Sequence, residues 1–157
     1  MGCFPQGTKV KTPKGPVSIE TIQVGDEVLR PKGTKEFVPT VVREVIEAEE
    51  DLVSLVTTNG GILTTADQLF LTLGGKFKKT SDLMAELVGY VLDDQEIIFV
   101  RVIAIIPKDI RAKVYHLRVD EPHIYLTDFV VHNKGGGSSS QTSSASIAPE
   151  LQPLFKQ

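Results

Sequence analysis

Short β-prone segments follow one another from residue 3 to residue 133, and turn signals separate them. The segments are rich in Val, Ile, Thr, Phe and Tyr, and the turns carry PKG, NGG, LGG and DD. Helical periodicity is nearly absent. Only TSDLMAEL is typical of one or two helical turns, with Ser81 as the predicted N-cap. This pattern predicts an all-β fold.

Strands are predicted over residues 17–22, 26–30, 37–46, 52–58, 62–65, 69–73, 87–92, 97–106, 113–119 and 123–132. Apolar residues are nearly continuous in IIFVRVIAII and IYLTDFVV, which predicts strands that are covered on both faces for part of their length. The acidic run EAEEDL, residues 47–52, is predicted to be a solvated loop between two strands.

A length of 157 residues suits one domain with a substantial core. The formal net charge is −3 at pH 7 and the basic residues are scattered, which disfavours binding to nucleic acid or to an anionic membrane. No apolar run approaches the roughly 18 residues of a transmembrane helix, and the sequence does not open with a signal-peptide pattern. We expect a monomer, with neither nucleic acid nor a membrane as partner.

The composition changes at Lys134, where KGGGSSSQTSSAS begins a stretch typical of a flexible linker. We divide the chain into an N-terminal flank of residues 1–2, a domain of residues 3–133 and a flexible C-terminal tail of residues 134–157. The domain so defined begins with the only cysteine, Cys3, and ends with the pair His132-Asn133.

An asparagine in this terminal position can cut the chain. The side-chain amide nitrogen of Asn133 can attack its own main-chain carbonyl, close a five-membered succinimide and expel the amine of Lys134. Well-oriented intramolecular reactions reach effective molarities of roughly 10⁵–10⁸ M, and a neighbouring histidine such as His132 can supply a proton near neutral pH. Taken alone, an Asn beside a His is more often an ordinary turn residue.

The thiol of Cys3 can perform a corresponding reaction at the other end. It can attack the carbonyl of Gly2 and convert the amide into a thioester, because a thiol is the best side-chain nucleophile near neutral pH. A lone cysteine is more often a packing residue. Cys3 and Asn133 nevertheless bracket one β-rich block, and the two reactions together would sever that block from both of its neighbours.

The two end blocks resemble those of the Hint superfamily, which comprises inteins, hedgehog autoprocessing domains and bacterial intein-like domains. CFPQGTKVKTPKGPVSIETIQVGDEVL is similar to the opening block and VYHLRVDEPHIYLTDFVVHN to the closing block, and TTNGGILTTADQLFLT lies where the family carries a T-x-x-H motif. The chain is most similar to the type A bacterial intein-like domains. The resemblance implies a flat β horseshoe with pseudo-two-fold symmetry, which brings both chain ends into one cleft.

The resemblance also implies a role for each of five residues. Cys3 is the nucleophile of an N-to-S acyl shift, Thr65 helps to bind the amide before Cys3, His123 assists cleavage at the terminal asparagine, His132 is the penultimate histidine, and Asn133 cyclises. It further implies a single-turnover reaction in cis, on the chain's own flanking segments, without a cofactor or a metal.

Three positions need separate treatment. Gln68 replaces the histidine of T-x-x-H and cannot titrate, so the N-terminal step should be slow; strand alternation points the neighbouring Asp67 to the opposite face. Lys134 stands where inteins carry Ser, Thr or Cys, so we expect terminal cleavage and little or no splicing. His116, in VYHL, could tune Cys3, but we predict that it faces outward from its strand.

Two other functions stay open at this point. A degenerate Hint domain without activity would explain Gln68 and Lys134. A cysteine hydrolase would use Cys3 with His123 or His132 on an external substrate, but it leaves the terminal asparagine without a purpose.

Overall fold

The structure is a computed structural model, and it describes residues 1–133. Strands form most of this part of the chain, and its only helices are two short 3-10 turns, which confirms the predicted all-β class. The strands are β1 Phe4–Pro5, β2 Lys9–Val10, β3 Val17–Ser18, β4 Glu27–Pro31, β5 Phe37–Thr57, β6 Gly60–Thr64, β7 Leu69–Leu71, β8 Phe77–Lys79, β9 Leu87–Leu92, β10 Glu96–Val119, β11 Ile124–Leu126 and β12 Val130–His132. The predicted tail, residues 134–157, lies outside the described residues.

Two long antiparallel strands, β5 and β10, form the centre of the largest sheet. Their pairing extends from Val102 opposite Thr57 to Val119 opposite Val42, with three register shifts along the way. β4 and β6 pair with β5, and β1 and β9 pair with β10. Because β1 pairs with β10 at residues 114 and 115, the start of the chain lies beside the C-terminal part of β10.

The acidic run 47–52 belongs to β5, so the prediction of a loop was wrong. Glu47, Glu49 and Asp51 are exposed, and the two residues between them are partly buried. This alternation is that of a half-buried strand. Lys113 of β10 faces the acidic side, with its Nζ atom 3.7 Å from a carboxylate oxygen of Glu47. The charges therefore mark one face of a strand rather than a break between two.

The segment 123–132 forms a hairpin, not the single strand predicted. β11 and β12 pair antiparallel with Ile124 opposite His132, and the amide of Thr127 donates to the carbonyl of Phe129 at 3.0 Å in the turn between them. Both strands are fully buried, so the continuous apolar run hides the turn. β12 also pairs with β7 in a four-stranded sheet, β11-β12-β7-β8. The hairpin returns residue 133 to the beginning of β11.

The two 3-10 helices are Ile19–Thr21 and Thr80–Asp82. The second contains Ser81 and has Lys79 at its N-cap, so the predicted N-cap was wrong. The first takes the place of half of the strand predicted over residues 17–22, of which only Val17–Ser18 forms a strand and pairs with β2. No helix within residues 1–133 is long and apolar enough to cross a membrane.

An aromatic cluster in the core connects the first strand to the residue just before the last strand. Phe70 of β7 makes edge-on contacts with Phe4 of β1, at 6.2 Å between ring centroids, and with Phe129, at 5.8 Å. All three rings are fully buried. Each such ring pair contributes about 0.5–1.5 kcal/mol beyond the burial of its surface. Phe4, which follows Cys3, and Phe129, which lies near the end of the domain, are thus packed together.

Candidate functional site

The two ends of the 3–133 segment meet in one site. A Cβ atom built on Gly2 would lie 3.0 Å from Oδ1 of Asn133 and 2.9 Å from Oε1 of Gln68. Gly2 and Cys3 reach this point because β1 pairs with β10, and Asn133 reaches it because β12 pairs with β7. The Gly2–Cys3 peptide bond and the Asn133 side chain are thus neighbours, although the sequence places them at opposite ends of the segment.

Thr65 holds the amide of Cys3. The backbone nitrogen of Cys3 donates to Oγ1 of Thr65 at 3.0 Å, and the backbone nitrogen of Thr65 donates to the Cys3 carbonyl at 3.2 Å. The hydroxyl of Thr64 adds a further bond to that carbonyl, at 3.1 Å. Thr64, Thr65 and Cys3 are all buried. One contact holds the nitrogen of the Gly2–Cys3 bond, and the other two hold the carbonyl of Cys3.

His116 holds the other side of the same bond. Its Nδ1 atom lies 2.7 Å from the carbonyl oxygen of Gly2, and its side chain is only 3 % exposed. Because a carbonyl oxygen only accepts, Nδ1 carries the hydrogen of this bond. The prediction that His116 faces outward was wrong, since residues 114–117 of β10 are buried on both faces and alternation carries no information there.

The thiol of Cys3 lies in an apolar cluster with Leu52 and Val114 and is fully buried. Its Sγ atom is 3.3 Å from the carbonyl oxygen of Met1. Burial, together with the negative charge of Glu50, raises the pKa of the Cys3 thiol to about 12. The thiol is therefore neutral at pH 7, with a thiolate fraction on the order of 10⁻⁵.

Asp67 also belongs to this half of the site, contrary to the prediction from strand alternation. Residues 65–68 form a turn between β6 and β7, so alternation does not apply. One oxygen of Asp67 accepts from the Thr65 hydroxyl at 2.9 Å, and the other pairs with the ammonium group of Met1. Burial by itself would raise the pKa of Asp67, but the bonds from Met1 and Thr65 lower it below its ordinary value. Asp67 is an ionised acceptor that orients Thr65.

Gln68 turns its amide nitrogen away from the Gly2–Cys3 bond. Nε2 donates to the carbonyl of Leu69 at 3.1 Å and to that of His132 at 3.4 Å. Oε1 has no hydrogen-bond partner among the described residues, and the side chain is fully buried. Gln68 thus connects the turn 65–68 to β12 and presents a bare oxygen to the Cα atom of Gly2.

Asn133 is 3 % exposed and is held at three points. Its backbone nitrogen donates to the carbonyl of His123 at 3.1 Å. Its Nδ2 atom donates to the carbonyl of Leu117 at 3.2 Å and to the hydroxyl of Tyr125 at 3.4 Å. Since Leu117 offers only an acceptor, this contact distinguishes the nitrogen of the carboxamide from its oxygen.

Tyr125 is a site residue that the sequence analysis missed. It is fully buried on β11, and burial raises its pKa far above the ordinary value, so its hydroxyl stays neutral. A buried tyrosine usually needs a hydrogen-bond partner for its hydroxyl. IYLTDFVV contains a single Tyr in a run that was predicted to be buried. The need of its hydroxyl for a partner could therefore have indicated Tyr125 as a site residue.

The two histidines near Asn133 differ in what they contact. Nδ1 of His123 lies 2.7 Å from the carbonyl of Val119 and must donate to it, which leaves Nε2 as the basic nitrogen of the neutral ring. His132 is buried, and its ring lies 4.9 Å from that of Phe77 and 6.2 Å from that of His123, centroid to centroid. Both histidines therefore lie beside the predicted cleavage point, with His123 also holding the Asn133 backbone.

Two site predictions remain. Lys134 lies outside the described residues. Within residues 1–133, no group of three or more His, Cys, Asp or Glu side chains is arranged to hold a metal ion.

Comparison with known proteins yields matches at the level of family and fold. A family model described as a Hint domain matches residues 2–128. The chain is similar to the solution structure of a bacterial intein-like domain from Clostridium thermocellum, with 26% identity, a TM-score of 0.67, and 85% of this chain and 99% of that chain covered. No curated protein matches the chain in sequence.

Two intein structures are similar to the chain at lower identity. A DnaB intein from Synechocystis sp. PCC 6803 is 20% identical, with a TM-score of 0.73 and coverage of 85% of this chain and 99% of that chain. The gp41-1 intein is 23% identical, with a TM-score of 0.70 and the same two coverages. These likenesses confirm the Hint-type β fold.

Proposed function

Because this chain belongs to the Hint domain family, whose members process their own polypeptide, we propose that it cleaves the peptide bonds on both sides of residues 3–133. The observation that carries the proposal is that side chains hydrogen-bond to both ends of one peptide bond, Gly2–Cys3. His116 touches the oxygen of the Gly2–Cys3 amide at 2.7 Å, and Thr65 touches its nitrogen at 3.0 Å. The side chain of Asn133, the second reacting group, lies beside the same glycine.

At the N-terminal bond, Cys3 Sγ attacks the carbonyl carbon of Gly2. A C–S bond forms, the C–N bond to Cys3 breaks, and the proton lost by the thiol is matched by one gained by the released amine. Negative charge develops on the Gly2 oxygen, where the Nδ1–H group of His116 already donates. Such a preorganised donor is typically worth about 10²–10³-fold in rate. A thiol or water then cleaves the thioester and releases the N-terminal flank.

At the C-terminal bond, Nδ2 of Asn133 attacks its own carbonyl carbon. The ring closes to a succinimide, the C–N bond to Lys134 breaks, and the proton lost by Nδ2 is matched by one gained by the Lys134 amine. The contacts to Leu117 and Tyr125 supply the orientation that the ring closure needs. His123 and His132 are the nearby groups that can carry the proton.

The two reactions should differ in rate. The N-terminal step starts from a thiol whose pKa is raised to about 12, and Gln68 cannot pass a proton to the amide nitrogen. The C-terminal step needs no ionised side chain as nucleophile. We therefore infer that cleavage after Asn133 is the main activity, and that splicing is slow or absent because Lys134 offers no hydroxyl or thiol.

An inactive Hint domain is the second candidate, and the buried neutral thiol of Cys3 favours it. A cysteine hydrolase acting on external substrates is disfavoured by the same fact, because a thiol with no exposed surface is not placed to attack a bond in another polypeptide. Incubation of the purified chain with and without dithiothreitol, followed by intact mass over several days, separates these functions. A fragment that ends at residue 133 and has lost one water supports the proposal. Unchanged mass in all samples contradicts it.

Replacement of His116 tests its hydrogen bond to the Gly2 carbonyl. His116→Leu should slow thiol-dependent release of residues 1–2 by about 10²-fold, because the carbonyl loses its donor. His116→Asn should retain part of the rate, since its side-chain amide can donate from a position similar to that of Nδ1. Cleavage after Asn133 should change little in both variants. Release from His116→Leu at the wild-type rate would remove His116 from the mechanism.

Replacement of Tyr125 tests the orientation of Asn133. Tyr125→Phe should slow cleavage after Asn133 about fivefold, which is the worth of one ordinary hydrogen bond, and leave N-terminal release unchanged. Tyr115→Phe is the matched control, because its hydroxyl accepts a bond of the same length, 3.4 Å, from Gln6 instead. Equal rates in the two variants would show that Tyr125 has no part in orienting the amide.

A further inference from the structure

We propose that the residue directly before Cys3 controls cleavage at the opposite end of the domain, and that only glycine permits both cleavages. This inference rests on the proposed function and adds to it a coupling between the two bonds. It concerns the small space around the Cα atom of Gly2, which the turn 65–68 and Asn133 close from two sides.

The space has no room for a methyl group. A Cβ atom at Gly2 would lie 2.9 Å from the Cα atom of Gln68, 2.9 Å from its Oε1 and 3.0 Å from Oδ1 of Asn133. The first of these is a backbone atom in a turn that is tied to Cys3 and Thr80, so it cannot yield as a side-chain tip can. Gln68 and Asn133 are both buried, which limits the escape of their oxygens.

A side chain at residue 2 therefore disturbs the N-terminal bond. If the chain moves to relieve the contact with Gln68, the Gly2 oxygen leaves His116, or the Cys3 nitrogen leaves Thr65. Both of these bonds have normal hydrogen-bond lengths, 2.7 Å and 3.0 Å, which a shift of the chain would lengthen. A misplacement of about 1 Å at reacting groups costs up to about 10²-fold in rate.

The same side chain also disturbs the C-terminal bond. It presses on Oδ1 of Asn133, whose carboxamide is planar, so a displaced oxygen also rotates or shifts Nδ2. That nitrogen is the nucleophile, and its present position depends on the contacts with Leu117 and Tyr125. The side chain at residue 2 thus affects the position of the Asn133 carboxamide, which is the group that attacks the carbonyl of the bond to Lys134. The N-terminal flank that the domain can release is one that ends in glycine.

The test compares Gly2→Ala with Gly74→Ala, both measured in the full chain. Gly74 is the matched control, because it lies in a turn with no heavy atom within 4 Å of an added Cβ. Gly2→Ala should lower the rates of N-terminal release and of cleavage after Asn133 by about tenfold or more each, as expected for misplaced reacting groups. Gly74→Ala should match wild type at both bonds. A normal C-terminal rate in Gly2→Ala would overturn the coupling, and a normal N-terminal rate would overturn the requirement for glycine.

A second readout separates this inference from the proposed function. If the wild-type chain cleaves neither bond, the proposed function fails, and the contact is then judged by NMR. The side-chain amide signals of Asn133 should shift in Gly2→Ala and stay in place in Gly74→Ala. Unshifted signals in Gly2→Ala would overturn the inference, whatever the activity.

Discussion

Asn133→Ala will abolish the fragment that ends at residue 133, at every time point and at every pH. Alanine has no side-chain nitrogen, so no succinimide can form, and hydrolysis of an unactivated peptide bond is negligible over days. The fold should survive, since the substitution removes a polar side chain held by contacts to Leu117 and Tyr125 while β12 keeps its pairing with β7. Intact mass measures the loss directly.

The chain supplies its own control for this variant. Asn59, the other asparagine, is followed by glycine in an exposed turn between β5 and β6. Asn59→Ala should cleave after Asn133 at the wild-type rate. Appearance of the same fragment from Asn133→Ala would show that another process, such as contaminating protease, cuts the chain, and the C-terminal half of the proposed function would be withdrawn.

Cys3→Ala will abolish thiol-dependent release of residues 1–2 and leave cleavage after Asn133 in place. The only thiol of the chain is lost, so neither a thioester nor its capture by dithiothreitol is possible. The two half-reactions should therefore separate cleanly between Cys3→Ala and Asn133→Ala. Release of residues 1–2 from Cys3→Ala at the wild-type rate would contradict the acyl shift.

The pH profile of N-terminal release checks the same step in the unmodified chain. Burial raises the pKa of Cys3 to about 12, and the reactive thiolate grows about tenfold per pH unit below the pKa. The rate should therefore rise steadily from pH 7 to pH 10, whereas a thiol of ordinary pKa would level off above about pH 9. Cleavage after Asn133 should not follow this slope. A plateau that begins near pH 9 would mean that the thiol is less buried during the reaction.

The all-β class and the pair of chain ends that meet in one site could be predicted because the signals for both are local in the sequence. Alternating and β-branched segments with turns between them indicate strands directly. Cys3 and Asn133 belong to the two end blocks, and Thr65 belongs to the motif between them. The structure places all three residues in one site. Their catalytic roles stay predictions until the variants are measured.

Errors arose where a residue's environment depends on distant parts of the chain. His116 was predicted to face outward, but β10 is covered on both faces at that point by strands remote in sequence. Asp67 was assigned to the wrong face because residues 65–68 turn at the end of β6. Tyr125 was missed because its partner, Asn133, lies across a hairpin that the apolar run 123–132 concealed. The alternation of apolar and polar residues along a single strand cannot predict contacts of this kind.

The pairing of β12 with β7 and β11 has a consequence for timing during synthesis. The contacts of Asn133 come from residues 117, 123 and 125, and those of the Gly2–Cys3 peptide bond come from residues 65 and 116. A nascent chain in which β10, β11 and β12 have not yet been synthesised lacks both sets of contacts. The long-range strand pairing that forms them is slow. If the proposed function holds, release of the flanking segments cannot begin until the whole domain has been made and folded.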